Sequence, residues 1–349
     1  MSLAAKKPWL RHAWYVAAQS SEVADKPLAR TICGEHLVLF RNGQGEAFAL
    51  EDFCPHRGAP LSLGFCRGDH LVCGYHGLAV DVAGKPASMP GQTVTRFPSV
   101  RSFALIEHAG FLWVWPGEKE TADPSLLPKL RWVDDPAWAY GGGLYHIACD
   151  YRLMVDNLMD LTHETYVHAT SIGQKEIDEA PVETRLEGEE VITSRYMENV
   201  LAPPFWRAAL KGAGLPEDQP VDRWQVCRFS LPSHVIIEVG VALAGQGGYA
   251  ADLSKKVSSQ VVDFITPETE HSHWYFWGMA RNFAAEDAAL TETIKTGQGG
   301  IFAEDLAMLE QQQANLLRRP DRRLLTLNID AGGAQSRAMI ERALRAEAH

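Results

Sequence analysis

Residues 156–168 read Asp-Asn-Leu-Met-Asp-Leu-Thr-His-Glu-Thr-Tyr-Val-His, and neither glycine nor proline interrupts them. The pattern favours one helix over this stretch, with Leu158 and Leu161 on an apolar face. A second face at the same spacing carries Asp160 and His163 and is mostly ionisable. A solvated outer surface explains such a face, but imidazoles beside carboxylates also suit a divalent transition metal.

His168 closes the stretch five residues after His163, and this spacing constrains the backbone. Five residues of a regular helix rotate by roughly 140°, so the two imidazoles cannot reach one ion. Shared metal binding therefore predicts that the helix ends, bulges or tightens between His163 and His168.

A third ligand has to come from elsewhere, and a long helix predicted from about 291 to 319 offers one. Asp305 lies on the apolar face of that helix, where a carboxylate is costly unless it is paired or bound to a metal. Two histidines and one carboxylate form the facial triad of non-haem iron(II) sites, which leaves coordination positions open for dioxygen. We predict that His163, His168 and Asp305 hold mononuclear Fe(II).

Two loops in the first third of the chain each combine one cysteine with one histidine. The first holds Cys54 and His56, and the second holds Cys73 and His76. A structural zinc ion is the alternative interpretation, since two thiolates and two imidazoles can bind zinc tetrahedrally. One cysteine and one histidine in each loop instead favours a [2Fe–2S] cluster, in which one iron takes both thiolates and the other takes both imidazoles.

The order of predicted elements divides the chain into two domains. Short strands separated by turns predict an antiparallel β domain over residues 1–118, and Asn42-Gly43 predicts a hairpin because both residues tolerate positive φ. Beyond a proline-rich linker, long strands alternate with three helices, the third helix being predicted near 204–210. We therefore expect an α+β catalytic domain over residues 119–349, with an antiparallel sheet around long helices.

The overall composition excludes several classes of partner. The 349 residues carry a net charge of -11, which disfavours binding to nucleic acid or to an anionic membrane. No apolar run is long enough to cross a bilayer, and the start of the chain lacks the hydrophobic core of a secretory signal. The six cysteines show no pattern of paired bridges, so we expect a cytoplasmic protein with reduced thiols.

The two cysteine–histidine loops resemble those of Rieske [2Fe–2S] domains. With the iron motif, the resemblance to the Rieske non-haem iron oxygenases extends over the whole chain. It implies that Cys54 and Cys73 bind one iron of the cluster and that His56 and His76 bind the other. It also implies that the hydroxyl of Tyr75 supports a cluster-bound cysteine.

The second half of the resemblance concerns the mononuclear site. Asn157, Asp160, His163 and His168 match the iron motif of that family, together with the pair Glu304-Asp305. The resemblance implies a homotrimer, in which the cluster of one subunit serves the iron of its neighbour. Asp160 would then bridge His163 to His76 of the partner subunit, since a carboxylate fixes the tautomer of a ligating imidazole.

Within this family, the chain is most similar to the aromatic O-demethylase monooxygenases that act on vanillate. The implied reaction uses dioxygen to hydroxylate the methoxy carbon, giving a hemiacetal that collapses to a phenol and formaldehyde. Vanillate would become protocatechuate. The sequence has no Gly-x-Gly-x-x-Gly dinucleotide fingerprint after a strand, so we do not expect it to take hydride from a nicotinamide cofactor directly. The resemblance implies a separate NAD(P)H-dependent reductase with flavin and an iron–sulfur centre.

Two alternatives to this function differ in measurable ways. A related monooxygenase would demethylate or hydroxylate another aromatic acid, and the sequence does not choose between such substrates. An electron-transfer protein would need only the cluster, so it would hold about two irons per chain where the oxygenase holds about three.

Residues for the substrate pocket are predicted from polar positions on the strands of the catalytic domain. Arg228 can pair with a carboxylate, Asp263 can accept a hydrogen bond from a phenol, and His234 lies on the neighbouring strand. Exposed sheet faces are the alternative interpretation of all three positions.

Overall fold

The structure, a computed structural model, describes residues 9–130, 132, 135–169, 177 and 180–348. The fold divides into two compact units. The first takes the described residues up to Pro128 together with Thr266–Glu270 and Ala343–Ala348, and the second takes the described residues of 129–265 and of 271–342. No helix among these residues is long and apolar enough to cross a membrane.

The first unit consists of antiparallel strands, as predicted. Its ten strands are β1 (Tyr15–Gln19), β2 (Leu28–Ile32), β3 (Glu35–Arg41), β4 (Ala47–Glu51), β5 (Phe65–Arg67), β6 (His70–Val72), β7 (Ala79–Asp81), β8 (Pro86–Ser88), β9 (Ser102–His108) and β10 (Phe111–Trp115). One sheet has the order β1-β10-β9-β4-β3-β2, and a smaller sheet has the order β5-β6-β7-β8. The smaller sheet was not predicted, because its strands are only three residues long.

The hairpin between β3 and β4 is confirmed, but its turn chemistry differs from the prediction. Asn42 keeps negative φ, and its side-chain oxygen accepts the backbone N–H groups of Gln44 and Glu46 at 3.0 and 2.9 Å. Gly45 takes the positive φ of +85°. The side chain of Asn42 therefore closes a longer loop in place of a two-residue turn.

The first unit also extends beyond the predicted boundary at residue 118. The indole N–H of Trp14 donates to the carbonyl of Asp123 at 2.7 Å, and that of Trp115 donates to the hydroxyl of Thr121 at 3.2 Å. These bonds hold the segment after β10 against the first unit. Residues 131, 133 and 134 of the predicted linker lie outside the described residues.

The second unit combines one sheet with five described helices. Its strands are β11 (Ala139–Ile147), β12 (Val182–Glu187), β13 (Glu190–Val200), β14 (Val221–Ser230), β15 (His234–Leu243), β16 (Lys256–Thr269) and β17 (Ser272–Arg281). The helices are α1 (Tyr151–Leu158), α2 (Glu164–Val167), α3 (Pro204–Gly212), α4 (Ala288–Arg318) and α5 (Ala331–Glu347). The antiparallel sheet has the order β11-β17-β16-β15-β14-β13-β12.

Helix α4 lies against β11 and β17. The hydroxyl of Tyr145 donates to the carbonyl of Gly299 at 2.9 Å, and the ring of Phe302 packs against those of Tyr275 and Trp277 at centroid distances of 5.3 and 5.5 Å. Aromatic side chains of the sheet therefore fix the face of α4 that carries Asp305.

The helix predicted over residues 156–168 is not continuous. Helix α1 ends at Leu158, and α2 begins at Glu164. Between them, Asp160 accepts the backbone N–H and the hydroxyl of Thr162, both at 2.7 Å, which competes with helical hydrogen bonding. The break before His163 was not predicted. The predicted end of the helix between the two histidines is confirmed, because α2 ends at Val167 and His168 follows it in a non-helical conformation.

Two glycines at the start of α5 allow that helix to approach the interrupted segment. A Cβ atom at Gly332 would lie 2.4 Å from the carbonyl oxygen of Met159 and 2.4 Å from the hydroxyl of Thr193. A Cβ atom at Gly333 would lie 2.7 Å from a carboxylate oxygen of Asp156. Only glycine therefore fits at positions 332 and 333 unless the backbone before His163 moves.

We expect Gly332→Ala to lower the free energy of unfolding by about 1–3 kcal/mol, because it overpacks this contact. Gly300→Ala is the matched control, since a Cβ atom at this exposed position of α4 meets nothing within 4 Å. Its expected effect is a stabilisation of up to about 1 kcal/mol from helix propensity. Denaturant unfolding measures both, and equal stabilities of the two variants would contradict the close approach.

Candidate metal centres

The two loops of the first unit repeat one backbone geometry. In the first, the N–H of Cys54 donates to the carbonyl of Ala59, and the N–H of Gly58 donates to the carbonyl of Cys54, both at 2.8 Å. Cys73 makes the equivalent bonds in the second loop at 2.8 and 3.0 Å. The loops are thus a matched pair of turns, and each presents one cysteine and one histidine.

The equivalent bonds of the second loop join Cys73 to Leu78 and Gly77. Gly77 has a φ of +74°, and its counterpart Gly58 has a φ of +69°. Other residues rarely adopt this backbone conformation, so both turns depend on glycine.

The four side chains of these loops separate by chemistry. Cys54 and Cys73 are each 2% exposed, whereas His56 and His76 are exposed, with their ring centroids 4.5 Å apart. This division into buried thiols and outer imidazoles fits a cluster whose two irons have different ligands. The ring of Tyr75 packs against His76 at a centroid distance of 3.9 Å.

The local electrostatics also fit metal-bound sulfur. Burial raises the pKa of the Cys54 thiol, whereas backbone N–H groups of His56 and Arg57 favour its thiolate. A metal ion supplies the positive charge that stabilises a buried thiolate. Hydrogen bonds to sulfur are also among the features that set the potential of a cluster.

The second unit brings together His163, His168 and Asp305. Their ligand atoms all lie within 4.8 Å of one another. The carboxylate of Asp305 lies 3.6 Å from Nε2 of His163 and 3.3 Å from Nε2 of His168. With metal–ligand bonds of about 2.1 Å, neighbouring ligands of an octahedral ion lie about 3 Å apart, so the arrangement fits one ion.

Other side chains orient these three groups. Nδ1 of His168 lies 2.6 Å from Glu304, which turns Nε2 towards Asp305. The side-chain amide of Asn157 donates to Asp305 at 3.1 Å. Nδ1 of His163 lies 3.7 Å from the carboxylate of Asp160.

Neighbouring carboxylates govern the charge of the two imidazoles. Burial lowers the pKa of His168, but Asp305 and Glu304 outweigh it and hold the pKa above its usual value. The pKa of His163 is raised in the same way by Asp160 and Asp305, against the effect of burial. A divalent cation bound by the two imidazoles would take the place of their protons as the positive charge beside these carboxylates.

We expect Glu304→Ala to weaken iron binding at this site by about 10–100-fold, because His168 loses the partner that fixes its ring. Glu292→Ala is the matched control on the same helix, since Glu292 is exposed and pairs with Lys295 at the surface. Competition with a chelator measures the affinity of each variant for Fe(II). Equal affinities in both variants would remove Glu304 from this role.

A cavity of about 840 Å³ adjoins the three groups. Asn157, Asp160 and the triad line one part of it, together with Glu164. Most of the remaining wall is apolar and includes Trp206, Ile237, Val239, Val261, Met279 and Phe302. The volume and the apolar walls suit a small aromatic molecule.

The three residues predicted for the substrate pocket do not line this cavity. Arg228 pairs with Glu190 and Glu238, each at 3.1 Å, on the other face of β14. Arg228 therefore lies away from this cavity, because strand alternation turns its side chain to the opposite face of the sheet.

His234 and Asp263 are buried in the second unit and are also absent from the cavity wall. The ring of His234 packs edge-on against Phe264 at 5.2 Å. Asp263 accepts a hydrogen bond from the hydroxyl of Tyr275 at 2.6 Å, and burial raises the pKa of Asp263 to about 8. Their contact with substrate stays a prediction: Asp263 lies on the same face of β16 as Val261 of the cavity wall, whereas His234 lies on the opposite face of the sheet.

The sequence interpretation missed a polar network beneath the cavity. The guanidinium of Arg195 donates to the carbonyl of Leu161 at 2.8 Å and to Glu164 at 3.2 Å. The amide of Gln225 donates to Glu164 at 2.8 Å. Through these bonds, the sheet holds the backbone on both sides of His163. The sequence signal for this network was the position of Arg195 and Gln225 on the buried side of the alternating strands β13 and β14.

Comparison with known families covers most of the chain. Residues 13–103 match the Rieske [2Fe-2S] domain, and residues 147–346 match the vanillate O-demethylase oxygenase C-terminal domain. The chain is 67% identical to the vanillate O-demethylase oxygenase subunit of Pseudomonas sp. (strain HR199) over 97% of its own length and 95% of that protein. It is 36% identical to the dicamba O-demethylase oxygenase component of Stenotrophomonas maltophilia, over 86% of this chain and 87% of that one.

A solved structure agrees with these sequence relationships. The crystal structure of dicamba monooxygenase bound to 3,6 dichlorosalicylic acid superposes with a TM-score of 0.88 at 33% identity. The match covers 97% of this chain and 98% of that chain. The predicted fold class, an antiparallel Rieske domain followed by a catalytic domain with a sheet and helices, is confirmed.

Proposed function

Since this chain belongs to the vanillate O-demethylase oxygenase family of Rieske non-haem iron oxygenases, we propose that it converts vanillate to protocatechuate and formaldehyde. It is the oxygenase component of a multicomponent system, which uses dioxygen and takes electrons from a separate reductase. One oxygen atom enters the methoxy carbon and the other leaves as water, which consumes two electrons and two protons. The convergence of His163, His168 and Asp305 on an apolar cavity is the observation that carries the proposal.

The two cysteine–histidine loops and the triad supply the metal ligands in this proposal. Cys54 and Cys73 hold one iron of the Rieske cluster, and His56 and His76 hold the other, with Tyr75 packed beside His76. The triad holds mononuclear Fe(II). When bound, this iron supplies the site at which dioxygen is activated, while the cluster supplies single electrons.

The chain's own residues prepare that site for substrate. Asn157 holds the Asp305 carboxylate, and Glu304 holds the ring of His168, so the open side of the triad stays towards the cavity. The apolar wall excludes water from the methoxy group and leaves the methyl carbon as the part of the substrate facing the triad.

Electron delivery between subunits completes the proposal. The protein forms a homotrimer, in which Asp160 links His163 to His76 of the partner subunit. A carboxylate that already lies 3.7 Å from the ring of His163 supports this role. The reductase carries flavin and an iron–sulfur centre, and the proteins work in the cytoplasm, where NAD(P)H is available.

The test is a turnover assay with purified chain, a matching reductase and NADH. A panel of methoxybenzoates is supplied, and formaldehyde is measured together with the phenolic product. We expect vanillate to give the highest kcat/KM and equal amounts of formaldehyde and protocatechuate. A higher kcat/KM for another acid would assign that acid as the substrate, and no formaldehyde from any of them would refute demethylation.

A further inference from the structure

Strand β14 presents two polar side chains to the cavity. Arg223 and Gln225 line it, whereas Trp224 packs on the other face against Tyr249 at 5.8 Å. Successive side chains of a strand point to opposite faces, so the strand pairing fixes Arg223 on the cavity side. Arg223 pairs with Val241 and Gln225 with Val239 on β15, which continues the same wall.

Arg223 is the one lysine or arginine among the described residues that line this cavity. It is 7% exposed, so its charge lies within the protein and not in bulk water. The chain as a whole carries a net charge of -11, which repels an anionic substrate. A local cation at the wall offsets this repulsion for a carboxylate and gives no such advantage to a neutral molecule.

The acidic groups Glu164 and Asp305 of the wall lie near the metal site. Glu164 accepts from Arg195 and Gln225, and Asp305 accepts from Asn157. Gln225 therefore marks the metal end of β14, since Glu164 follows His163 in the chain. Arg223 lies two residues further along the strand, about 7 Å from Gln225.

The cavity thus has a metal end and a cationic end, and apolar side chains such as Val239 line the same wall. We propose that Arg223 binds the carboxylate of an aromatic acid, so that the ring lies along the apolar wall and the methoxy group faces the triad. This deepens the proposed function and rests on it for the identity of the acid. A guanidinium is suited to the role because its planar fork matches a carboxylate with two parallel hydrogen bonds.

The test compares ligands with and without a carboxylate. Iron-loaded protein without reductase is titrated calorimetrically with vanillate and with guaiacol, which has the same methoxyphenol ring but no carboxylate. We expect Arg223→Met to raise the Kd for vanillate by about 10–100-fold, as loss of a charged hydrogen-bonded pair does, and to leave the Kd for guaiacol within about 2-fold. Arg223→Lys keeps the positive charge but lacks the planar guanidinium. Its Kd for vanillate should therefore lie between those of the wild type and Arg223→Met.

Arg228→Met is the matched control, because Arg228 lies on the same strand with its side chain on the other face. It should keep the wild-type ratio of the two Kd values. A purely structural role for Arg223 would weaken both ligands equally, and this outcome would overturn the proposal. Equal wild-type affinity for vanillate and guaiacol would overturn it as well.

The turnover assay separates this inference from the proposed function. If wild-type protein releases formaldehyde from vanillate but Arg223→Met binds vanillate normally, only the carboxylate site is wrong. If no methoxybenzoate is demethylated, yet Arg223→Met selectively loses binding of the acid, the carboxylate site stands and the reaction has been misassigned.

Discussion

Asp305→Ala is expected to remove the mononuclear iron and abolish turnover while leaving the visible absorption of the Rieske cluster intact. Asp305 is 3% exposed, and among the described residues it is the carboxylate that faces Nε2 of both His163 and His168. Without it, two imidazoles remain, and the amide of Asn157 loses its acceptor. Two protein ligands bind Fe(II) far more weakly than three, so metal analysis should fall from about three to about two irons per chain.

The control for this experiment is again Glu292→Ala, which removes a surface carboxylate from the same helix. It should retain about three irons and normal turnover. Full iron retention in Asp305→Ala would show that another carboxylate completes the triad.

Asp160→Asn is expected to keep both metal centres but to slow electron delivery by about 10–100-fold. Asparagine has the same shape and can still accept the backbone N–H of Thr162, so the turn before His163 should persist. The change removes a negative charge: burial favours the neutral acid, but His163 and Thr162 outweigh it and hold the pKa of Asp160 below its usual value. The native side chain is therefore ionised at neutral pH.

Stopped-flow oxidation of the pre-reduced Rieske cluster, in the presence of vanillate and dioxygen, measures this step directly. Thr162→Val serves as the control, because it deletes the hydroxyl that donates to Asp160 but keeps the carboxylate. A fully metallated Asp160→Asn protein with the wild-type rate would exclude Asp160 from the path between the centres.

The local motifs were readable from the sequence because their geometry is local. Each Rieske loop closes through hydrogen bonds between near neighbours, such as Cys54 with Ala59. Their spacing therefore reported the arrangement of thiols and imidazoles directly. The predicted long helix with Asp305 on its inner face was readable for a similar reason, since helical periodicity marks the buried side.

The path of the backbone around His163 was harder to predict. No glycine or proline marks the interruption, which depends on the side chain of Asp160 and on Arg195 from a distant strand. Helix α5 was not predicted at all, because Gly332 and Gly333 at its start disfavour a helix unless close packing requires them.

The residues that line the cavity were hard to predict for a different reason. Alternation along β14 separates Arg223 from Arg228, but the sequence alone does not say which parity faces the cavity. The register against β15 and the position of Gln225 beside Glu164 settle that choice. To predict from the sequence which side chains of β14 face the cavity, one residue of the strand would have to be known to contact the metal site.

The hydrogen bond from Arg195 to the Leu161 carbonyl has a consequence for the order in which the parts of the iron site form during synthesis. The backbone around His163 is fixed by a residue of β13, and Asp305 arrives later still on α4. A ribosome-bound chain that has emerged only as far as α2 therefore lacks both the clamp and the third ligand. Because these contacts are distant in sequence and form late, we expect iron to bind only after the second unit has been synthesised.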